Sequence, residues 1–134
     1  MEKILVVDFG SQYTQLLARR IREIGVYSEV VQYDETSDLK DVGGIILSGG
    51  PDSVYSEFSP KIPEYVFEKD IPVLGVCYGM QSIAKIFGGK VKREKFSEYG
   101  KTKVRVTKES VLFDGVTDSF VSWMSHGDSV IEIP

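Results

Sequence analysis

The sequence holds one cysteine, Cys77, and one histidine, His126, among 134 residues. A lone cysteine excludes an internal disulfide and any zinc centre built on several thiolates. A lone imidazole excludes chemistry that needs two histidines from this chain. No apolar run reaches the roughly 20 residues of a membrane-spanning helix. Positive charge is not in excess either: 16 Lys and Arg stand against 20 Asp and Glu, a formal charge of -4. A nucleic-acid binder working by counterion release, or a helix lying on an anionic membrane, needs the opposite balance. Neither nucleic acid nor membrane is therefore an expected partner. Met1-Glu2-Lys3 leads straight into an apolar stretch, without the basic region and cleavage site of a signal peptide. A reducing, cytoplasmic setting is the expectation.

What is present is ordinary for a globular domain, with 42% hydrophobic and 27% charged residues. The length suits one domain, residues 1–134. Ile4 to Val7 is a buried-strand run ending at Asp8-Phe9-Gly10. Ser11 is placed to cap a helix whose apolar stripe is Tyr13, Leu16, Leu17, Ile21 and Ile24, stopped at Gly25. Strands are expected at Val26–Tyr33, Gly44–Leu47 and Pro72–Val76, with a polar, turn-like stretch from Asp34 to Val42. Helices are expected at Ile62–Glu68, with Pro63 in its first turn, and at Met80–Phe87. This alternation predicts an α/β fold with a doubly wound, mostly parallel sheet and flanking helices. After Gly89 the pattern changes to amphipathic strands at Lys90–Arg93, Lys101–Thr107, Phe120–Ser125 and Ser129–Ile133, so the last third is expected to be antiparallel.

Gly75-Val76-Cys77-Tyr78-Gly79 carries the most chemistry. It has the Gly-x-nucleophile-x-Gly spacing of a nucleophile elbow, with cysteine at the centre. A strand that turns sharply into a helix leaves the central side chain exposed above the sheet in a strained conformation. The flanking residues come so close to the turn that a β-carbon would clash, which explains Gly75 and Gly79. The positive end of the helix dipole lies beneath the sulfur, and the Tyr78 N–H can face a developing oxyanion. Read alone, Cys77 would be a small buried hydrophobe. The strand before it, the two glycines and the helix after it favour a nucleophile.

Ser48-Gly49-Gly50-Pro51-Asp52-Ser53 also follows a strand. Its glycines let backbone amides approach a ligand, and they could complete an oxyanion hole. The same string resembles the pyrophosphate loop of the N-type ATP pyrophosphatases. It follows the third strand here, not the first, and Pro51 removes one amide from such a cradle. His126, in Trp123-Met124-Ser125-His126-Gly127-Asp128, reads as a binding residue of a loop. Asp8 to Tyr13 lies at the carboxyl edge, where α/β sheets bind ligands, but lacks a dinucleotide fingerprint. On the residues alone a nucleotide-binding module using Ser48–Ser53, or a non-catalytic interaction domain, stays open beside an enzyme.

Four strings occur in order: Asp8-Phe9-Gly10-Ser11-Gln12-Tyr13, Ile46-Leu47-Ser48-Gly49-Gly50-Pro51, Gly75-Val76-Cys77-Tyr78-Gly79-Met80-Gln81 and Trp123-Met124-Ser125-His126-Gly127-Asp128. Together they resemble the class I glutamine amidotransferases from residue 3 onward. The first and last strings narrow the likeness to the GMP synthase branch. The resemblance implies a flavodoxin-like fold and Cys77 as the nucleophile on the side-chain amide of glutamine. It implies oxyanion amides from Gly50 and Tyr78, and a glutamine pocket lined by Gln81, Ser125, His126 and Gly127. This domain would need no cofactor and no metal. ATP and Mg²⁺ are implied only for an ATP-pyrophosphatase (synthetase) domain or subunit, which receives the ammonia and aminates XMP to GMP. The family completes its triad with a His-x-Glu arrangement downstream of the His-Gly-Asp string, and the chain stops before that region. The domain is therefore expected to be truncated at its C-terminus, and on its own inactive or very slow.

Overall fold

The computed structural model describes residues 1–93, 100–123 and 128–134. The chain forms two compact units, Met1–Lys92 with Val130–Pro134, and Arg93–Ser129.

In the first unit, β1 (Lys3–Asp8), β2 (Tyr27–Gln32), β3 (Val42–Leu47) and β4 (Val73–Gly75) form one parallel sheet in the order β2-β1-β3-β4. Helix α1 (Thr14–Glu23) connects β1 to β2, and α2 (Tyr78–Ile86) follows β4. Successive strand residues point to opposite faces, and β1 shows how the two layers are built. Leu5 and Val7 join Ile45, Leu47, Tyr78 and Ala84 in one apolar cluster, whereas Val6 packs with Ala18 and Ile21 of α1 in another. Leu5, Val6 and Val7 are wholly buried. A central strand buried on both faces is what its unbroken apolar run predicts, and the doubly wound α/β arrangement stands.

The sequence places α1 correctly but only part of its inner face: Ile21 is buried and Leu17 packs against the same cluster. Tyr13, Leu16 and Ile24 are exposed, and the buried positions are Thr14, Ala18 and Ile21. The helix begins only at Thr14, so Tyr13 lies before it. Ala18 lets the helix lie close to the sheet, and its carbonyl accepts the buried Ser28 hydroxyl at 2.7 Å. Ser11 does not cap the helix. Its Oγ accepts the Tyr13 N–H at 3.1 Å in a local turn. Gly25 does end it, at φ +89°, with its N–H on the Arg22 carbonyl. On the outer face Glu23 pairs with Arg19 and Arg20 at 3.3 and 2.9 Å.

The stretch from Asp34 to Val42 is less polar in effect than its composition suggests. Leu39 is buried in the larger cluster, and β3 already starts at Val42. The helix expected at Ile62–Glu68 contracts to a single 3₁₀ turn, Glu64–Phe67. Pro63 sits before it with ψ 141°, in extended backbone, and a proline also turns its predecessor away from helix.

The second unit is formed mainly by β5 (Lys90–Arg105) and β6 (Ser119–Glu132), which pair as a two-stranded antiparallel sheet. The Val106 N–H meets the Asp118 carbonyl, and a 3₁₀ turn spans Val111–Phe113 with the Ser110 hydroxyl capping its Leu112 N–H. The four strands expected in this stretch are two: β5 takes in Lys90–Arg93 and most of Lys101–Thr107, and β6 takes in Phe120–Ser125 and most of Ser129–Ile133. Among the described residues no helix is long and apolar enough to cross a membrane.

Tyr65, on the 3₁₀ turn of the first unit, packs against the larger cluster, with its hydroxyl buried and without a hydrogen-bond partner among the described residues. Burial pushes this phenol above its ordinary range, and the charge of Glu35 adds to the effect. A phenol raised in the folded state contributes stability that is intact below the unfolded value of about 10. That contribution is lost as pH rises through the folded value, because the unfolded chain then binds fewer protons. Tyr65→Phe is expected to raise unfolding free energy by about 1 kcal/mol at neutral pH, by removing an unsatisfied polar group. It should also flatten the alkaline fall in stability, as read in urea melts at pH 7 and above pH 10. An unchanged alkaline slope would contradict this assignment.

Candidate active site

The site forms where β1, β3 and β4 end side by side. This carboxyl edge is where open α/β sheets bind ligands. β4 stops at Gly75, the Val76 N–H bonds to the Leu47 carbonyl at 2.9 Å, and α2 begins at Tyr78. Between them Cys77 sits at φ 52° and ψ -115° with its side chain exposed. Positive φ is sterically costly for a residue with a β-carbon and is stored where surrounding contacts impose it.

Those contacts are the two glycines. A β-carbon at Gly75 would lie 2.7 Å from the backbone N and Cα of Met80. At Gly79 it would lie 2.6 Å from Leu47 Cβ and 2.7 Å from the Leu47 carbonyl carbon. No real β-carbon tolerates such approaches, so the spacing Gly-x-Cys-x-Gly is a packing requirement of the elbow. The Gly79 N–H donates to the Ser48 carbonyl at 3.2 Å, and the Gln81 N–H closes the first helical bond on the Cys77 carbonyl at 3.0 Å. The Tyr78 N–H, in the first turn, hydrogen-bonds to no other described residue, as expected of a helix start.

The turn after β3 lies beside Cys77. A β-carbon at Gly49 would stand 3.4 Å from Cys77 Cβ and 3.6 Å from Ser11 Oγ. At Gly50 it would stand 2.5 Å from the Phe9 carbonyl oxygen. The β1 turn and the β3 turn therefore press backbone to backbone, with Gly10 at φ +100° facing Pro51. The Gly50 N–H, like that of Tyr78, hydrogen-bonds to no other described residue. Ser48 is buried and its hydroxyl meets Thr14 Oγ1 at 3.0 Å. With Ser48 turned inward and Gly50 held against Phe9, the loop offers little of the open cradle that a pyrophosphate needs.

Of the residues expected in the site, Cys77 and Tyr78 lie on the elbow and Gly50 on the β3 turn, whose Gly49 stands next to Cys77. The Tyr78 side chain itself turns inward. Its hydroxyl donates to the Pro60 carbonyl and its ring packs on Phe9 at 5.3 Å. Gln81 is buried one turn into α2. Ser125, His126 and Gly127 lie outside the described residues. Sequence reading missed Asp8 and Thr14. Asp8 Oδ1 accepts both the Gly10 N–H at 2.8 Å and the Thr14 hydroxyl at 2.9 Å. Among the described residues, no group of three or more His, Cys, Asp or Glu is placed to hold a metal ion. An open depression of about 670 Å³ in the second unit, lined by Val106, Val111, Phe113 and Val116 among others, contains neither cysteine nor histidine.

An exposed cysteine at a strand-to-helix elbow, beside a glycine turn, defines a class that sequence comparison matches. Residues 5–134 fit the class-I glutamine amidotransferase family, and the chain belongs to it. GMP synthase [glutamine-hydrolyzing] of Petrotoga mobilis is 57% identical over 134 residues, all of this chain and 26% of that protein. The Aliivibrio fischeri protein of the same name is 57% identical over 136 residues, covering 99% of this chain and 26% of its own length. The chain thus spans about a quarter of these relatives. A crystal structure from Thermoplasma acidophilum, described as a GMP synthase subunit, superposes with TM-score 0.85 at 35% identity. That match covers all of this chain and 69% of the other. A Thermotoga maritima glutamine amidotransferase shares the fold at TM-score 0.74 and 22% identity, over 96% of this chain and 61% of the other.

The elbow geometry makes two opposed mutational expectations. Gly79→Val forces a branched side chain onto Leu47 and is expected to cost about 3 kcal/mol or more. Val76→Ala trims a part-exposed side chain and should cost about 1 kcal/mol. Cys77→Gly removes the strain at positive φ and should raise stability by about 1 kcal/mol net of glycine's greater unfolded-state entropy. Urea unfolding of the three variants reads this order directly. Destabilisation by Cys77→Gly comparable to that by Gly79→Val would show that the elbow is not strained.

Proposed function

We propose that this chain is the glutamine-hydrolysing part of a GMP synthase. The carrying observation is the strained, exposed Cys77 held between two obligatory glycines, in a chain 57% identical to proteins of that name. The sulfur of Cys77 attacks the side-chain amide carbon of glutamine. A C–S bond forms, and the carbonyl oxygen takes the electron pair. The Gly50 and Tyr78 N–H groups, neither of them bonded to another described residue, receive that oxyanion. The C–N bond then breaks, the nitrogen leaves as ammonia once protonated, and water cleaves the glutamyl thioester to glutamate. We assign glutamine binding to Gln81, Ser125, His126 and Gly127, as the family resemblance implies.

Protonating the leaving nitrogen and activating water needs a general acid–base, worth about 10²–10⁴-fold in rate. We assign that role to the His-x-Glu element that the family carries downstream, outside this sequence. The ammonia passes to an ATP-pyrophosphatase domain or subunit, which uses ATP and Mg²⁺ to aminate XMP. Glutamine hydrolysis itself requires neither. A lone reduced cysteine suits a cytoplasmic enzyme.

The division of labour sets the test. In the full-length parent protein, Cys77→Ala is expected to abolish GMP formation from glutamine while leaving GMP formation from added ammonium salt within about twofold of the unaltered protein. Persistence of glutamine-dependent product would remove Cys77 from the mechanism. Loss of both activities would contradict the separation of the two half-reactions.

A further inference from the structure

A buried chain of hydroxyls joins the end of β1 to the turn beside the nucleophile, and its hydrogen-bond direction is fixed by counting protons. Thr14 Oγ1 donates to Asp8 Oδ1 at 2.9 Å. A hydroxyl has one proton, so Thr14 can only accept at its 3.0 Å contact with Ser48 Oγ. Ser48 is therefore the donor there, and its longer 3.4 Å contact with the Gly49 carbonyl is the weaker alternative. Thr14 and Ser48 are 1% and 2% exposed, so water cannot replace a lost partner at either without entering the core.

Ser48 is held at every polar atom. Its N–H bonds to the Val7 carbonyl at 3.0 Å, its carbonyl accepts the Gly79 N–H at 3.2 Å, and its hydroxyl reaches Thr14. Asp8 fixes the neighbouring turn as well, through the Gly10 N–H on Oδ1 and the Gln32 side-chain amide on Oδ2 at 3.1 Å. That turn presents the Phe9 carbonyl against Gly50. One carboxylate thus sets both backbone surfaces that bear on Gly50.

We propose that Thr14 is a positioning residue, whose hydroxyl relays Ser48 to Asp8 and so holds the Ser48-Gly49-Gly50 turn with the Gly50 amide set for the oxyanion formed at Cys77. This rests on the reading of Gly50 as an oxyanion donor. A donor that is loosened weakens only interactions made in the transition state, so kcat should fall without a matching change in KM. Deleting such a donor outright costs about 10²–10³ in kcat. Loosening it should cost less, about tenfold.

The test uses the full-length parent protein, with glutamine-dependent ammonia release as the readout and melting temperature recorded alongside. Thr14→Val keeps the shape and removes the hydroxyl. It is expected to lower kcat about tenfold, with KM for glutamine within twofold and alkylation of Cys77 by iodoacetamide unchanged, since that displacement forms no oxyanion. Thr14→Ser restores the hydroxyl and should recover kcat to within about threefold. If Thr14→Val does not fold, Ser48→Ala reads the same bond from the other end, with the same kcat loss expected. Equal losses in Thr14→Ser and Thr14→Val, or a change confined to KM, would overturn the proposal. Normal kcat in both Thr14→Val and Ser48→Ala would overturn it while leaving glutamine hydrolysis by Cys77 intact. No ammonia from the unaltered protein would overturn the functional reading and this inference with it.

Discussion

The backbone of Gly79 lies against the carboxyl end of β3 more closely than any side chain would permit. A β-carbon there would sit within 2.7 Å of the Leu47 carbonyl carbon. Because α2 is drawn in this far, the chain between β4 and α2 must turn within two residues, Val76 and Cys77, and the second takes positive φ. Cys77 bears the cost. Gly75, on the other side, must in turn leave room for the Met80 backbone. The exposed sulfur, the first-turn amides beside it and the neighbouring β3 turn all follow from this single approach.

Close approach alone would leave the turns free to shift, and buried polar groups restrain them. Ser48, Thr14 and Asp8 come from two strand ends and the start of α1, and together they tie the turns after β1 and β3 to each other. Such a network is costly to disturb because each member loses a partner that water cannot readily supply. The sheet beneath supplies the rigidity. Leu5 and Val7 on one face and Val6 on the other anchor β1 in both apolar layers. The site thus rests on a strand buried on both faces, which suits a constellation that must hold its geometry to a fraction of an ångström.

The elbow was legible in the sequence because its determinants are local. A short apolar strand, two glycines at fixed offsets and a helix are all contiguous. The parallel sheet was legible for a similar reason, since strands buried on both faces read as unbroken apolar runs. The inner face of α1 was legible only in part, because composition favours Tyr13, Leu16 and Ile24 whereas the helix start at Thr14 and the small Ala18 decide which side meets the sheet. The 3₁₀ turn at Glu64–Phe67 replaced an expected helix because Pro63 holds extended backbone. The hydroxyl chain was invisible because Asp8, Thr14 and Ser48 are ordinary polar residues until the fold brings them together. Residues 124–127, which contain three of the expected pocket positions, lie outside the described residues.

The central claim is that Cys77 is a nucleophile addressed by glutamine. Its most direct test is covalent labelling of the full-length parent protein by a glutamine-analogue electrophile, followed by peptide mapping. One adduct per chain is expected, on Cys77, formed more slowly when free glutamine is present and absent in Cys77→Ala. Labelling that ignores glutamine, or that falls on other residues with Cys77 untouched, would contradict it.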